Sequence, residues 1–329
     1  MPRIPGIDLK GVVKLDNLGD AHNMLKLLKR ARNSVVVGGG ITALEIVEGI
    51  RARGKNVHYF LRGDRYWKSV LDETEAHIVE RRLLHEGVKI HYHTEIASIS
   101  GNNGKVVGIV TKEGKQLRCE VVAFAIGVSP NKKIAESAGF ETDRGILVDG
   151  TLQASAPDVY AAGDVAQVYD PYTGKTVLDT LWPTARQQGW TAGMNMMGQL
   201  QQYRKTVPYN VTRLAGLTTT IIGTVGLSKD DDLIGIARGD SESWRLLSGS
   251  IVVKNRVDVN RVRIMLGKNK ILGAVVMGDQ ALSRPLYQLI SQKADLSSIF
   301  GQFSEPQKLE ETLHAFWNKW RSSNANEKL

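Results

Sequence analysis

The stretch from Ser34 to Glu45 reads SVVVGGGITALE, and it decides the fold of this chain. An apolar β-branched run leads into three glycines, and the glycines open a helical pattern that continues to Arg53. Val57–Leu61 supplies the next strand, so the whole unit has about thirty residues, the usual length of a βαβ unit. The stretch therefore predicts an α/β domain built on a parallel sheet.

The glycine turn contains the residue types that a dinucleotide pyrophosphate requires. Gly38 permits the tight turn, and Gly40 lets a phosphate approach the backbone because it has no side chain. The small Ala43 allows the helix and the strand to pack closely, and the helix N-terminus offers free N–H groups to an anion. The alternative is a tight βα turn without a ligand. Because the turn follows a strand and opens a helix, we expect Gly38, Gly39, Gly40 and Ala43 to bind a nucleotide.

The end of the second strand ordinarily selects between NAD and NADP. A carboxylate there binds the ribose 2′-hydroxyl of NAD, whereas an arginine nearby accommodates the 2′-phosphate of NADP. Here the strand ends at Leu61, and Arg62, Arg65 and Lys68 follow it. The sequence favours NADP(H) over NAD(H). The alternative is that Arg62 and Arg65 are surface charges beside a pocket that does not discriminate.

Local signals predict several helix starts and turns. Asp20 is expected to cap a first helix, and Asp72 with Glu75 forms the pattern of a capping box. The segments 102–104 (Asn-Asn-Gly) and 113–114 (Glu-Gly) predict hairpin turns between short strands. These signals indicate a small antiparallel sheet beside the parallel one.

The C-terminal third has a different pattern from the first half. Its β-branched runs predict strands at 218–225, 250–257, 262–266 and 271–277. Helical patterns cover residues 283–292 and 305–321, and a further one covers residues 184–197, before this third. From residue 206 onward the sequence predicts a smaller α+β domain.

Three further motifs carry a resemblance to a known family. Residues 151–164 read TLQASAPDVYAAGD, residues 125–131 read AIGVSPN, and residues 182–189 read WPTARQQG. Together with the glycine turn, and in this order, they resemble the pyridine nucleotide–disulphide oxidoreductase superfamily. Within it they look most like the branch of NAD(P)H-nitrite reductases, rubredoxin reductases and NADH oxidases.

The resemblance implies a role for each matching residue. Asp164 would accept a hydrogen bond from a ribityl hydroxyl of FAD, and Gly163 would let the backbone approach the flavin. Glu45 would lie close to the nicotinamide and the flavin as the catalytic residue, and Gly127 would lie near the nicotinamide. Arg62 and Lys68 match two basic positions of the family's NADPH-specific members. Ala43, in place of a third glycine, also agrees with those members. The implied reaction is hydride transfer from the nicotinamide to FAD, with electrons passed on to a protein or small acceptor.

The resemblance also implies a domain order. A Rossmann-like NAD(P)-binding domain (31–148) would be inserted in an FAD-binding domain (1–30 and 149–205), followed by an α+β interface domain (206–329). Family members begin with a βαβ segment that binds the ADP half of FAD, so the FAD-binding domain here is expected to be incomplete. Either a separate subunit would then supply that segment, or the chain is a fragment of the enzyme. The alternative is a non-catalytic nucleotide-binding or scaffolding subunit that has lost flavin. The interface domain implies a homo-oligomer.

Composition narrows the possible partners. The net charge is +9, but the basic residues alternate with acids and no nucleic-acid motif is present, so we expect no nucleic acid. The charge is expected to form a solvated surface that suits anionic ligands, with an acidic electron-acceptor protein as the alternative. No apolar run is long enough for a transmembrane segment. The single cysteine, Cys119, fits a reducing cytoplasm and is expected to be an inert strand residue.

No metal site is predicted. His91 and His93 alternate along a predicted strand and therefore share a face, but no third ligand lies nearby, which favours an ordinary surface pair. The acidic run 230–232 is expected to be a solvated loop, with a cation site as the alternative. Trp317 and Trp320 are expected to pack in a core or a subunit interface.

Overall fold

The computed structural model describes residues 1–171, 174–226, 250–254, 260–304 and 308–325. The chain divides into two compact units. The first unit contains residues 1–128 with 214–216, and the second contains residues 129–213 with 217–329.

The first unit contains a parallel sheet and a small antiparallel one. Its strands are β1 (Val12–Val13), β2 (Asn33–Val37), β3 (Asn56–Phe60), β4 (Lys89–His91), β5 (Ile96–Asn102), β6 (Lys105–Thr111), β7 (Gln116–Arg118) and β8 (Val121–Phe124). Its helices are α1 (Leu18–Leu28), α2 (Ile41–Arg51) and α3 (Glu73–His85). The parallel sheet has the order β1-β8-β2-β3-β4, and the antiparallel sheet has the order β5-β6-β7. The predicted α/β fold is confirmed.

Both faces of the parallel sheet are covered. Val35 and Val36, adjacent in β2, are both fully buried, as is expected for a parallel strand that lies between two layers. On one face α2 packs against β2 and β3. On the other face Val35 and Phe60 join a core with Ile109 of the antiparallel sheet.

The first predicted hairpin turn connects β5 to β6. Asn103 and Gly104 have φ angles of 48° and 72°, and a two-residue turn of type I′ requires positive φ at both positions. The second turn, between β6 and β7, has Gly114 at φ 81°. Both turns lie where the sequence predicts them, because glycine and asparagine adopt this region at low cost.

Helix capping agrees with the sequence at one helix and differs at another. The Asp72 side chain accepts from the Glu75 N–H (2.8 Å), and the Glu75 carboxylate accepts from the Asp72 N–H (2.9 Å), so the capping box of α3 is confirmed. The prediction that Asp20 caps α1 was wrong. Asn17 is the N-cap, since its extended backbone lets its Oδ1 accept from the Asp20 N–H at 3.0 Å.

The second unit begins with a small sheet and a long helix. Its elements here are α4 (Lys133–Ser137), β9 (Ile146–Leu147), a 3₁₀ turn (Gly163–Val165), β10 (Ala166–Asp170), β11 (Lys175–Leu178) and α5 (Trp182–Met196). The sheet order is β11-β10-β9, with β10 antiparallel to β11 and parallel to β9. The helix predicted from residue 184 begins two residues earlier, with Pro183 in its first turn, a position that tolerates proline.

The C-terminal part of the second unit is an antiparallel sheet with helices. Its elements are β12 (Tyr209–Leu214), β13 (Leu217–Gly223), β14 (Ser250–Lys254), β15 (Arg261–Gly267), β16 (Lys270–Met277), α6 (Ser283–Ser291) and α7 (Leu309–Ala325). The strand order is β12-β13-β16-β15-β14. The expected mixture of strands and helices is present. Residues 255–257 and 305–307 of the predicted elements lie outside the described residues.

Within the described ranges, no helix combines the length and the apolar character that crossing a membrane would require.

The capping box gives a stability prediction. Asp72→Ala removes the acceptor for the Glu75 N–H, and we expect the free energy of unfolding to fall by about 1 kcal/mol. Arg81→Ala, an exposed change on the same helix, is the matched control. Denaturant titration followed by circular dichroism measures both variants. Equal stabilities for the two variants would contradict the role of the cap.

Candidate functional site

Three strand ends meet at one edge of the parallel sheet. β8, β2 and β3 are neighbours and run parallel, so their carboxyl ends lie together. Gly38 follows β2, Arg62 follows shortly after β3, and Gly127 follows shortly after β8. The glycine turn therefore lies between the other two segments. In open α/β sheets this edge is where ligands bind.

Position 38 requires glycine because neighbouring atoms lie too close for a side chain. Its φ angle is +150°, and a Cβ built on it would lie 2.2 Å from the carbonyl oxygen of Ala125 and 3.0 Å from the Cβ of Ala43. Ala43 itself is fully buried. A larger residue at either position would push α2 away from the sheet, which accounts for the glycine and the alanine.

Gly39 and Gly40 leave room for a ligand. A Cβ built on Gly39 would meet no atom within 4 Å, so the protein itself does not require glycine there. Gly40 is the N-cap of α2, has no side-chain capping hydrogen bond, and is followed by no acid in the first turn. An open backbone and an uncapped helix N-terminus together fit a pyrophosphate group.

The basic residues after β3 lie in one loop but have different partners. Arg62 is exposed and has no recorded hydrogen bond or ion pair among the described residues. Arg65 and Lys68 both pair with Asp64, at 3.3 Å and 3.4 Å. Partial burial would raise the pKa of Asp64, but the charges of Arg65 and Lys68 outweigh it and lower the pKa. Asp64 therefore stays ionised within the basic loop.

Sequence reasoning missed Asp64. It found no acid at the strand end, and Asp64 lies three positions after Leu61. Its carboxylate is partly exposed, so it can either hold the two cations or accept from a ribose hydroxyl. The available signal was the order Arg-Gly-Asp-Arg at 62–65, which places an acid beside oppositely charged side chains.

Glu45 and Gly127 belong to the same unit as the glycine turn. Glu45 lies on α2, the helix that the turn opens, and its side chain is exposed on the surface. Partial burial of its carboxyl group nevertheless raises its pKa. Gly127 is exposed and has a φ angle of +100°, a conformation that favours glycine. A carboxyl group on this helix can orient a polar ring by hydrogen bonding.

The Gly163–Asp164 pair belongs to the second unit. Gly163 has a φ angle of +76°, and its N–H donates to Oε1 of Gln188 at 2.8 Å. Gln188 is fully buried on α5, so this bond ties the turn to the helix. Asp164 is exposed, with no recorded partner in the described ranges. Gln188 lies in the 182–189 motif, but the sequence pattern alone does not indicate its role.

The N-terminus of α5 completes this second arrangement. Its N-cap, Leu181, provides no side-chain hydrogen bond, and the first turn contains no acid. A Cβ built on Gly163 would lie 3.6 Å from the Cβ of Ala185, so the Gly163–Asp164 turn lies against this end of the helix. An exposed carboxylate beside an uncapped helix N-terminus fits both the ribityl hydroxyls and the polar ring edge of a flavin.

The histidines pair differently from the sequence expectation. β4 ends at His91, and His93 follows in a turn with a φ angle of +49°, so the two do not share a strand face. His91 pairs instead with His58 of β3, with 2.9 Å between their ring nitrogens. Burial, followed by the neighbouring His91, lowers the pKa of His58 to about 4.

The other candidate residues have structural surroundings. No cluster of three potential metal-binding side chains occurs in the described part of the chain, and residues 230–232 lie outside it. Burial raises the pKa of Cys119 to about 12, so its thiol is unreactive at neutral pH. Trp317 donates to Gln288 at 2.7 Å and packs with Trp320 against the core of the second unit.

Comparison with known proteins places these features in a family. The family model described as pyridine nucleotide-disulphide oxidoreductase matches residues 1–189. The NAD(P)H sulfur oxidoreductase (CoA-dependent) of Pyrococcus furiosus is 30% identical over 235 residues, which are 70% of this chain and 52% of that protein. The rubredoxin-NAD(+) reductase of Ectopseudomonas oleovorans is 31% identical over 177 residues, 54% of this chain and 46% of that protein. The chain thus spans about half the length of the curated relatives it matches.

A solved structure shows the same fold. An engineered water-forming NADPH oxidase, derived from the Lactobacillus brevis NADH oxidase and bound to NADPH, has a TM-score of 0.75 and 21% identity. The likeness covers 91% of this chain and 67% of that one. The sheet edge with its glycine turn, the Gly-Asp turn bonded to α5 and a family match over more than half of the sequence agree: the chain belongs to the pyridine nucleotide-disulphide oxidoreductase family.

Proposed function

We propose that this chain binds NADP(H) and FAD as an oxidoreductase and passes electrons to a protein or small acceptor. The observation that carries the proposal is the glycine turn at the sheet edge, with Arg62, which has no partner among the described residues, after the neighbouring strand. The pyrophosphate would bind at Gly39, Gly40 and the N-terminus of α2. Gly127 would border the nicotinamide side of the same edge.

FAD, when bound, supplies the group that accepts a hydride from the reduced nicotinamide. The residues of this chain hold and orient the cofactors. Asp164 would accept from a ribityl hydroxyl, and Gln188 would keep Gly163 in the left-handed conformation that presents Asp164. Glu45, with its raised pKa, would orient the nicotinamide by a hydrogen bond from or to its carboxyl group.

The preference for NADP(H) rests on charge and on spacing. The engineered NADPH oxidase carries five substitutions, of which the first is Gly→Ala. The others are Asp→Ala, Ala→Arg, Met→Ser and Pro→Arg, which lie 18, 19, 20 and 25 positions after the first. Counted from Ala43, the same spacing falls on Leu61, Arg62, Gly63 and Lys68. Ala43 and Arg62 are thus the same residue types that were introduced into that protein at this spacing. Leu61 stands where it received alanine, and Lys68 where it received arginine. The agreement supports Arg62 and Lys68 as the 2′-phosphate ligands.

The electron acceptor and the assembly are part of the proposal. One relative is named for rubredoxin, and the net charge of +9 here favours an acidic acceptor protein. The proposed domains are 31–148 for NADP(H), 1–30 with 149–205 for FAD, and 206–329 for self-association. A second polypeptide that contributes to the FAD site would copurify with the chain and with flavin.

Arg62→Ala should weaken NADPH selectively. A charge-assisted hydrogen bond to the 2′-phosphate contributes about 2 kcal/mol, so the Kd for NADPH should rise by more than tenfold. The Kd for NADH should change by less than about twofold, since NADH has no phosphate there. Isothermal titration calorimetry measures both nucleotides. Arg53→Ala, an exposed cation at the far end of α2, is the control. Equal losses for both nucleotides would rule out the assignment.

Asp64→Asn should strengthen NADPH binding. The change removes the charge that holds Arg65 and Lys68, so Lys68 becomes available to the phosphate and the Kd should fall by about threefold or more. The same titrations test the opposite possibility. If Asp64→Asn instead weakens NADH and leaves NADPH unchanged, Asp64 binds the ribose hydroxyl and the chain is built for NAD.

Asp164→Ala should lower flavin content. The purified chain, with whatever copurifies, is expected to show flavin absorbance, and the variant should lose about tenfold or more in FAD affinity because a charged acceptor is removed. Glu141→Ala, an exposed carboxylate in the same unit, should retain its flavin. A chain that binds NADP(H) but never flavin would instead support a nucleotide-binding or scaffolding subunit.

A further inference from the structure

The loop that carries the basic residues is fastened at Gly63, Tyr66 and Trp67. The Gly63 carbonyl oxygen accepts from the His93 N–H at 3.1 Å. The Trp67 N–H donates to the carbonyl oxygen of Gly39 at 3.2 Å, which ties the loop to the glycine turn. The Tyr66 N–H donates to Oε1 of Glu80 at 2.7 Å, which ties the loop to α3. Arg62 lies on one side of these three fastened residues and Lys68 on the other. The Gly63 bond fixes the backbone beside Arg62, so the spacing between Arg62 and Lys68 depends on the three bonds together.

Glu80 is an unusual residue for this place. Its side chain is 3% exposed, and carboxylates are seldom so deeply buried without a cation beside them. Its other oxygen, Oε2, accepts from the Tyr92 hydroxyl at 2.9 Å. Among the described residues, the basic side chain that lies within 4.0 Å of it is His77, whose Nε2 is 3.9 Å away and whose ring is half exposed. Two hydrogen bonds, one of them to the loop backbone, therefore hold this buried charge.

The Tyr66 and Trp67 side chains are buried, but the loop is not closely packed on the side of Asp64. A groove of about 510 Å³ lies beside it, lined by Asp64, Thr74, His77, Glu80, Arg81, Leu84 and Tyr92. Asp64, which holds Arg65 and Lys68, is a wall of this groove and not part of a close-packed core. Without the bond from Tyr66 to Glu80, the loop has open space into which it can move. The carboxylate is thus placed where a directional bond is needed.

We propose that Glu80 is a positioning residue for NADPH selectivity, acting through the Tyr66 backbone on Arg62 and Lys68. Glu80 does not contact the nucleotide in this scheme. It holds the loop at the spacing that a 2′-phosphate requires, so that both cations reach the same group. The inference rests on the proposed use of NADP(H).

Glu80→Leu tests the inference because leucine fills the site but accepts no hydrogen bond. In titration calorimetry of the full chain, we expect the Kd for NADPH to rise about tenfold and that for NADH to change less than about threefold. Glu80→Gln keeps an acceptor for the Tyr66 N–H and should restore NADPH binding to within about threefold of the wild type. Tyr92→Phe removes only the other hydrogen bond and should behave like Glu80→Gln.

Hydrogen exchange supplies a second measurement that needs no nucleotide. The Tyr66 amide should exchange slowly in the wild type and much faster in Glu80→Leu, whereas amides of β2 should not change. If Glu80→Leu does not fold, a rapidly exchanging Tyr66 amide in the wild type overturns the inference. A wild type that binds NADPH and NADH equally overturns the proposed NADP preference, and the inference with it. A preference that survives in folded Glu80→Leu overturns the inference alone.

Discussion

The first unit depends on the close approach of Gly38 to the carbonyl oxygen of Ala125. A side chain at Gly38 would lie 2.2 Å from that oxygen, so β2 and β8 can end side by side only with glycine there. The approach sets where the chain leaves the sheet and therefore where α2 begins. It also places Gly39, whose carbonyl oxygen accepts from Trp67 and fixes the neighbouring loop. The glycine turn, the N-terminus of α2 and the basic loop all take their positions from this contact.

Features with local causes could be predicted from the sequence. The glycine turn, the Asn103-Gly104 hairpin and the capping box at Asp72 each depend on a few adjacent residues whose backbone preferences are strong. The error at α1 has the same origin. Asn17 and Asp20 are both good capping residues, and only the extended backbone at Asn17 decides between them.

Features that depend on distant partners could not be predicted in this way. His58 and His91 meet because β3 and β4 are neighbours, although 33 positions separate them. In the candidate site, Arg62 and Lys68 were apparent from their position after a strand. The contributions of Asp64 and Glu80 were not apparent. Asp64 contacts other residues of the same loop, and Glu80 contacts the loop from α3, so both depend on how the loop folds. A sequence pattern identifies which residues can bind a ligand more readily than which residues hold them in place.

The place of β8 in the sheet has a consequence for the order in which the chain folds. β8 lies between β1 and β2, and Val12 pairs with Val122, far along the chain. During synthesis β2, β3 and β4 can associate early, while the slot beside β2 stays open until the later strand emerges and enters it. Long-range pairing of this kind is slow compared with local contacts. Since Gly38 meets Ala125 only after that entry, the turn at Gly38 is among the last parts of this unit to form.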